Sequence, residues 1–286
     1  MSGEKAGERA GKEAGERAGK KVFGYPEYKK DGEKILTEYD GPYSDMLMDI
    51  RVYRMGAGES RTFMREGEET AVLLLGGRVS LSWEGRSREV SRKSVFAEGP
   101  WCLHVPAGVK IGVSAAGDSE ILVQRARNEA RFSSALRGPA DAPWKDACRG
   151  KFGDTANRLV NTIFDYASAP YSNMVLGEVL NDRGNWSGYI PHAHPQPEAY
   201  YFLFDRPEGF GASFVGDDVY KSVSGSFAAI PGGKTHPQAC APGFAMYTCW
   251  MIRHLDGNPW TDRIDDPRYA WLHGASAAAQ KSNSIS

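Results

Sequence analysis

The chain is expected to be all-β, folded as two tandem jelly-roll-like β-barrels with few short helices. Three observations predict this. Short runs alternate apolar and polar residues with a period of two, the pattern of strands with one buried face. The 33 glycines and 16 prolines punctuate those runs as turns would. A glutamate and a later Pro-x-Gly turn recur in both halves, Glu69 with Pro106-Ala107-Gly108 and Glu198 with Pro231-Gly232-Gly233, at intervals of 37 and 33 residues.

In chain order, residues 1–22 are expected to be a disordered tail. Ala-Gly-Glu-Arg-Ala-Gly-Lys occurs at 6–12 and again at 14–20, and the glycine repeated every four residues denies a helix any apolar face. A first barrel is expected over 23–130. In it, 72–75 and 79–83 read as a hairpin turning at Gly76-Gly77, followed by strands at 94–97, 101–105, 109–114 and 120–125. A linker is expected over 131–165, with Pro139 and Pro143 inside it and one short helix from Asp154 to Asp165. The second barrel, 166–273, carries strands at 174–180, 187–193, 199–204, 211–215, 219–223, 226–230 and 244–252, and 274–286 is a second tail.

Composition excludes several functions. The balance of 35 Lys+Arg against 36 Asp+Glu leaves a net charge of −1, so no polyanion is attracted at long range, and no DNA-binding motif is visible. The longest apolar run, 71–75, is far below the ~20 residues of a membrane span. Cys102, Cys148, Cys240 and Cys249 form no C-x-x-C pair and read as reduced thiols. With no apolar leader at the N-terminus, a cytoplasmic protein is expected. Nucleic acid and membrane are not expected partners; open barrel edges make a homo-oligomer expected.

One cluster carries chemistry: His192-Ala-His194, Glu198 and His236. On a strand, His192 and His194 share a face. The turn Pro195-Gln196-Pro197 can bring Glu198 beside them, and the Pro-Gly-Gly turn can deliver His236. Three imidazoles and a carboxylate suit one divalent transition metal, Zn²⁺ or Mn²⁺ first, with Fe²⁺ or Ni²⁺ also compatible, and do not suit Ca²⁺ or Mg²⁺. The ion would remain a Lewis acid with positions open to substrate.

These residues resemble the paired motifs of the cupin superfamily: His192-x-His194-x-x-x-Glu198, then Gly225 with Pro231-x-Gly233-x-x-His236. The glycine usual before the first histidine is absent, and Cys240 replaces a frequent asparagine. Phe63, Arg65 and Ile111 stand where the first half would need histidines, so only the second barrel of this bicupin should bind metal. His104 is expected to be a satisfied strand histidine. Gly177-Glu178-Val179, Gly184-Asn185-Trp186-Ser187, Pro191-His192-Ala193-His194, Tyr200-Tyr201, Ala241-Pro242-Gly243-Phe244 and Asp266-Pro267 with Trp271 narrow the likeness. Together they resemble the 5-deoxy-glucuronate isomerase family of inositol catabolism, related to 5-keto-4-deoxyuronate isomerase. The short Pro195-Gln196-Pro197 insert and the pair Arg253-His254 depart from that family.

The resemblance implies an aldose–ketose isomerase of a deoxy-uronic acid, moving a proton through a metal-stabilised enediolate. Glu198, Tyr200 and Lys234 are then the candidate catalytic residues. Arg253, Gln238 and Tyr189 are candidate contacts for a sugar-acid substrate whose carboxylate needs a cation. A cupin oxygenase or a non-catalytic sugar-binding bicupin are the alternatives: an apolar pocket would favour the oxygenase, and cationic and hydroxyl groups the isomerase.

Overall fold

The computed structural model describes residues 21–273, so the expected tail 1–22, but for its last two residues, and the expected tail 274–286 lie outside them; Val22 accepts from the Ala229 N–H. Antiparallel sheets dominate. The first is ordered Ala135–Arg137, Cys102–Val105, Glu68–Trp83, Ser119–Arg127, Asp49–Met55 and Glu33–Thr37. Ser60–Phe63, Ile111–Ala115 and Arg86–Arg92 curl around its long central strand. The second runs Phe23–Gly24, Phe227–Ile230, Glu198–Phe204, Met246–Arg253, Met174–Asn181, Arg158–Phe164 and Lys145–Ala147. A smaller sheet of Trp186–Ser187, Gln238–Cys240, Phe210–Val215 and Asp218–Val223 faces it.

Three apolar layers hold these sheets. One fills the first barrel with Tyr53, Phe63, Val72, Leu74, Leu81, Trp83 and Ile111. Phe63 and Ile111, at the positions where histidines would be needed, are part of that packing. A second fills part of the other barrel with Val175, Phe202, Phe204, Met246 and Ile252. The third lies between the halves, where Leu73, Leu75, Leu122 and Met48 meet Leu176, Tyr201, Tyr247 and Met251. Strands such as Glu198–Phe204 are therefore buried on both faces, with Tyr200 and Phe202 turned into the barrel and Ala199 and Tyr201 toward the other half. Each such side chain contributes about 1.5–3 kcal/mol when fully removed from water.

Polar links cross the same layer. Arg92 and Glu178, both fully buried, pair at 2.7 Å, and Tyr247 donates to the same carboxylate. Glu69 accepts from His104 at 2.8 Å, from the Ser172 hydroxyl and from the Asn173 N–H. His104 thus has one ring nitrogen paired, and its ring stacks on Phe164 with centroids 4.4 Å apart.

Several elements differ from expectation. The segment 68–83 is one strand with a bulge between Leu74 and Gly76, not a hairpin. Gly77 has φ +104°, and a Cβ there would strike Ser119 and Asp118, so glycine permits a close crossing and not a turn. The expected helix from Asp154 to Asp165 is a 3₁₀ turn, Phe152–Asp154, and a strand, Arg158–Phe164. The β-branched Val160, Thr162 and Ile163 favour the extended state, which pairing with Met174–Asn181 completes. Residues 94–97 form a turn, and 187–193 holds only two short strands, Trp186–Ser187 and His192–Ala193. The segment expected as a linker supplies Ala135–Arg137 to the first sheet and two strands to the second, while Phe23–Gly24 joins the second sheet from the chain's start.

Candidate metal centre and its cavity

His192 sits on the short strand paired with Ile264–Asp265, and His194 follows it. Glu198 opens the strand Glu198–Phe204, flanked by Ile230 and Ile252 on its two neighbours. His236 lies in the turn after Phe227–Ile230. Gly232 makes this convergence possible: a Cβ there would collide with the Pro195 backbone. All four side chains are buried.

The histidines share one arrangement. His192, His194 and His236 each place Nδ1 at 2.8–3.0 Å from a backbone carbonyl, of Ile190, Gln196 and Lys234 respectively. Those carbonyls only accept, so Nδ1 carries the proton and Nε2 presents a lone pair. Nε2 of His194 and of His236 lie 2.9 and 3.2 Å from Glu198 Oε2. His194, Glu198 and His236 thus form a buried group whose ligand atoms fall within 4.8 Å of one another, a group that could hold a metal ion. His192 stands beside it, with its ring centroid 4.7 Å from that of His236.

The electrostatics fit a cation. Burial raises the proton affinity of Glu198, but His236 and His194 outweigh it and hold the carboxyl below the usual carboxylate range. Burial likewise depresses His236, yet the Glu198 carboxylate leaves it raised. Burial, then His236, pushes His192 down to about 3. His236 Nε2 is buried and, although 3.2 Å from Glu198 Oε2, is not in hydrogen-bond geometry with it. A divalent ion would give that atom and the Glu198 charge a common partner.

The group opens on a cavity of about 260 Å³ lined by Arg158, Thr162, Tyr200, Gln238, Thr248, Trp250, Trp260, Asp262 and Arg263 among others. Burial, followed by the Glu198 charge, raises the Tyr200 hydroxyl well above its usual range, so it stays protonated. Gln238 accepts from the Ser187 hydroxyl at 3.0 Å and donates to the His236 carbonyl at 3.0 Å.

Three expected site residues stand elsewhere. Arg253 alternates away from the cavity-facing Ile252 and turns toward Glu69 and Tyr39 of the first half. Lys234 is exposed beside Gly216, and only its carbonyl serves the site. Tyr189 packs on Phe152 and Trp186 outside the cavity lining. Sequence reasoning missed Arg158, Thr248, Trp250, Trp260 and Arg263. Arg158, Val160 and Thr162 alternate into the cavity, a period of two that the expected helix concealed.

Two tandem all-β barrels with a His/Glu group inside the second make this a cupin-type protein. The chain belongs to the KduI/IolB family, whose model matches residues 24–272. Similar curated proteins are named 5-deoxy-glucuronate isomerase. That of Geobacillus kaustophilus is 26% identical over 251 residues, spanning 81% of this chain and 88% of its own. That of Bacillus subtilis strain 168 is 23% identical over 263 residues, spanning 85% and 94%. Among solved structures, an IolB-like protein of Salmonella typhimurium superposes with TM-score 0.79 at 18% identity, covering 88% of this chain and 99% of that one. A mutant of Bacillus subtilis oxalate decarboxylase shares the fold at TM-score 0.60 and 10% identity, covering 86% and 79%.

Proposed function

We propose that the chain is a metal-dependent aldose–ketose isomerase that converts 5-deoxy-glucuronate to 2-deoxy-5-keto-gluconate, in inositol catabolism and in the cytoplasm. The observation that carries this reading is the set of three Nδ1-tethered imidazoles around Glu198, opening on a cavity that carries Arg158, Tyr200, Gln238 and Arg263 within a largely apolar wall. The relatives' shared name supports the choice of substrate. The lining is mixed: Val160, Val179, Ile252 and two tryptophans are apolar wall of the kind an oxygenase would use, while Arg158, Arg263, Tyr200, Thr248 and Gln238 supply the cationic, hydroxyl and amide groups that favour the isomerase.

His192, His194, Glu198 and His236 would hold Zn²⁺ or Mn²⁺, with Fe²⁺ and Ni²⁺ compatible with the same donors. When bound, such an ion supplies Lewis acidity that acidifies the C–H next to the substrate carbonyl. The Tyr200 hydroxyl, protonated throughout the working pH range, donates to a substrate oxygen. Gln238 fixes the wall beside it through Ser187. Both imidazole contacts on Glu198 fall on Oε2, so Oε1 is the atom that accepts and returns the migrating proton. The cavity volume is below the ~300–1,000 Å³ of drug-sized sites, as a six-carbon acid requires.

The test is to incubate the protein with 5-deoxy-glucuronate in D₂O and follow the products by NMR. The reading predicts a keto acid that carries deuterium at the carbon receiving the proton, and no product after chelation. Absence of conversion by metal-replete protein would overturn it.

A further inference from the structure

An acid of this kind carries its carboxylate at the opposite end from its carbonyl, so the residues that grip the reacting end cannot also neutralise the acid. We propose that Arg158 is the residue that recognises the substrate carboxylate, with Arg263 closing over it from the cavity mouth. This inference rests on the proposed function for its substrate class, and on the cavity for its residue.

Arg158 opens the strand Arg158–Phe164, and burial falls along its cavity face: Arg158 is 5% exposed, Val160 is half-buried and Thr162 is exposed. The guanidinium therefore lies at the deep end. Its Nη1 donates to the Ala156 carbonyl at 2.8 Å and its Nη2 to the Tyr189 carbonyl at 2.9 Å, and the Cys148 thiol is a further neighbour. Among the described residues no carboxylate pairs with it. Buried guanidiniums are ordinarily paired, because an uncompensated charge in a low-dielectric site is costly. The other deeply buried arginines follow that rule: Arg92 has Glu178 and Arg125 has Asp49.

Arg263 lies close enough to disfavour the charge on Arg158, and it too lines the cavity. Its own partner, Asp265 at 3.2 Å, is shared with His273. Glu198 and Asp262 line the same cavity, but Glu198 faces His194 and His236 and Asp262 accepts from the Arg263 backbone N–H, so the Arg158 guanidinium is left without an anion and makes a site for one with two acceptor oxygens. Beside the apolar Val160, Val179 and Ile252, the wall offers polar groups that a polyhydroxylated acid could engage. Trp250 Nε1, Trp260 Nε1 and Thr248 Oγ1 line the same cavity, are buried and have no hydrogen-bond partner.

The experiment measures calorimetric affinities of the metal-loaded protein for D-glucuronate and for its neutral counterpart D-glucuronamide. The wild type should prefer the acid. Arg158→Gln should weaken the acid about a hundredfold, the range expected for a truncated buried charge pair, and leave the amide within a few fold. Arg158→Lys, which keeps a point charge and the buried stem, should retain part of the preference. Arg263→Gln, at an exposed rim where folding is not at stake, should lose a smaller share. Bound metal should be unchanged in all three variants. Equal loss of acid and amide in Arg158→Gln, or no preference in the wild type, would overturn the inference and leave Arg158 as a prop for the Tyr189 loop. An Arg158-dependent preference in a protein that turns over no uronate would sink the isomerase reading and leave this inference standing.

Discussion

At the residue scale, the tethering of each imidazole decides what the site can be. Because Nδ1 of His192, His194 and His236 is committed to a carbonyl, the free lone pairs converge on Nε2 with no need for a side-chain partner behind them. Substituting the imidazoles themselves is thus the informative change. His194→Ala or His236→Ala should lower metal affinity by more than the roughly 10–100-fold that outer partners are worth, measured as metal retained per chain after dialysis. His254 offers a pH test away from the ligands. Burial first, then Arg253, holds it down to about 4, and its Nδ1 accepts from the Trp260 N–H. Between the ordinary 6.5 and about 4 the unfolded chain binds more protons than the folded one, so stability falls as pH drops through that window. Thermal unfolding across this range should show the slope, and His254→Asn should flatten it.

At the element scale, the strands between the halves carry both packing and site geometry. Glu178 faces the interface and pairs with Arg92, while its neighbour Gly177 lies under Trp250, where any Cβ would run into the indole. Removing one member of the buried pair leaves the other charge stranded: Glu178→Ala should cost about 3–5 kcal/mol in denaturant unfolding. Arg92→Met with Glu178→Leu should recover much of that loss. Gly177→Val should displace Trp250 into the cavity and cut ligand affinity while bound metal persists. The same double-sided burial explains which strands were legible. Runs such as 79–83, with one wet face, alternate cleanly in the sequence. Arg158–Phe164 mixes a buried arginine, a buried asparagine and an exposed threonine, a pattern that follows from the cavity on one side and the other half on the opposite side. Gly76-Gly77 was misleading because glycine serves a bulge and a close crossing as readily as a turn.

At the scale of the whole molecule, the halves are interlocked. Phe23–Gly24 belongs to the second sheet, Ala135–Arg137 to the first, and one apolar layer is shared between them. Residues 21–130 expressed alone should therefore aggregate or fail to show cooperative unfolding. The ligand cluster was readable because its spacing is short and its residue types are rare. The cations of the cavity were not, since Lys234 and Arg253 lie near the ligands in sequence while Arg158 reaches them only through sheet pairing. Among the described residues no helix is long and apolar enough to cross a membrane. The homo-oligomer expected from the open sheet edges would register in light scattering as a mass above 31.3 kDa, and a mass of 31.3 kDa would contradict that expectation.

If the second barrel's histidines and Glu198 hold an ion on which uronate isomerisation depends, activity must follow metal occupancy. The most direct measurement titrates Zn²⁺ or Mn²⁺ into chelated protein and follows the rate of 5-deoxy-glucuronate conversion. The rate should rise from near zero and level off at about one equivalent per chain, with no recovery in His236→Ala. A rate that is the same before and after chelation, or that survives in His236→Ala, would contradict that dependence.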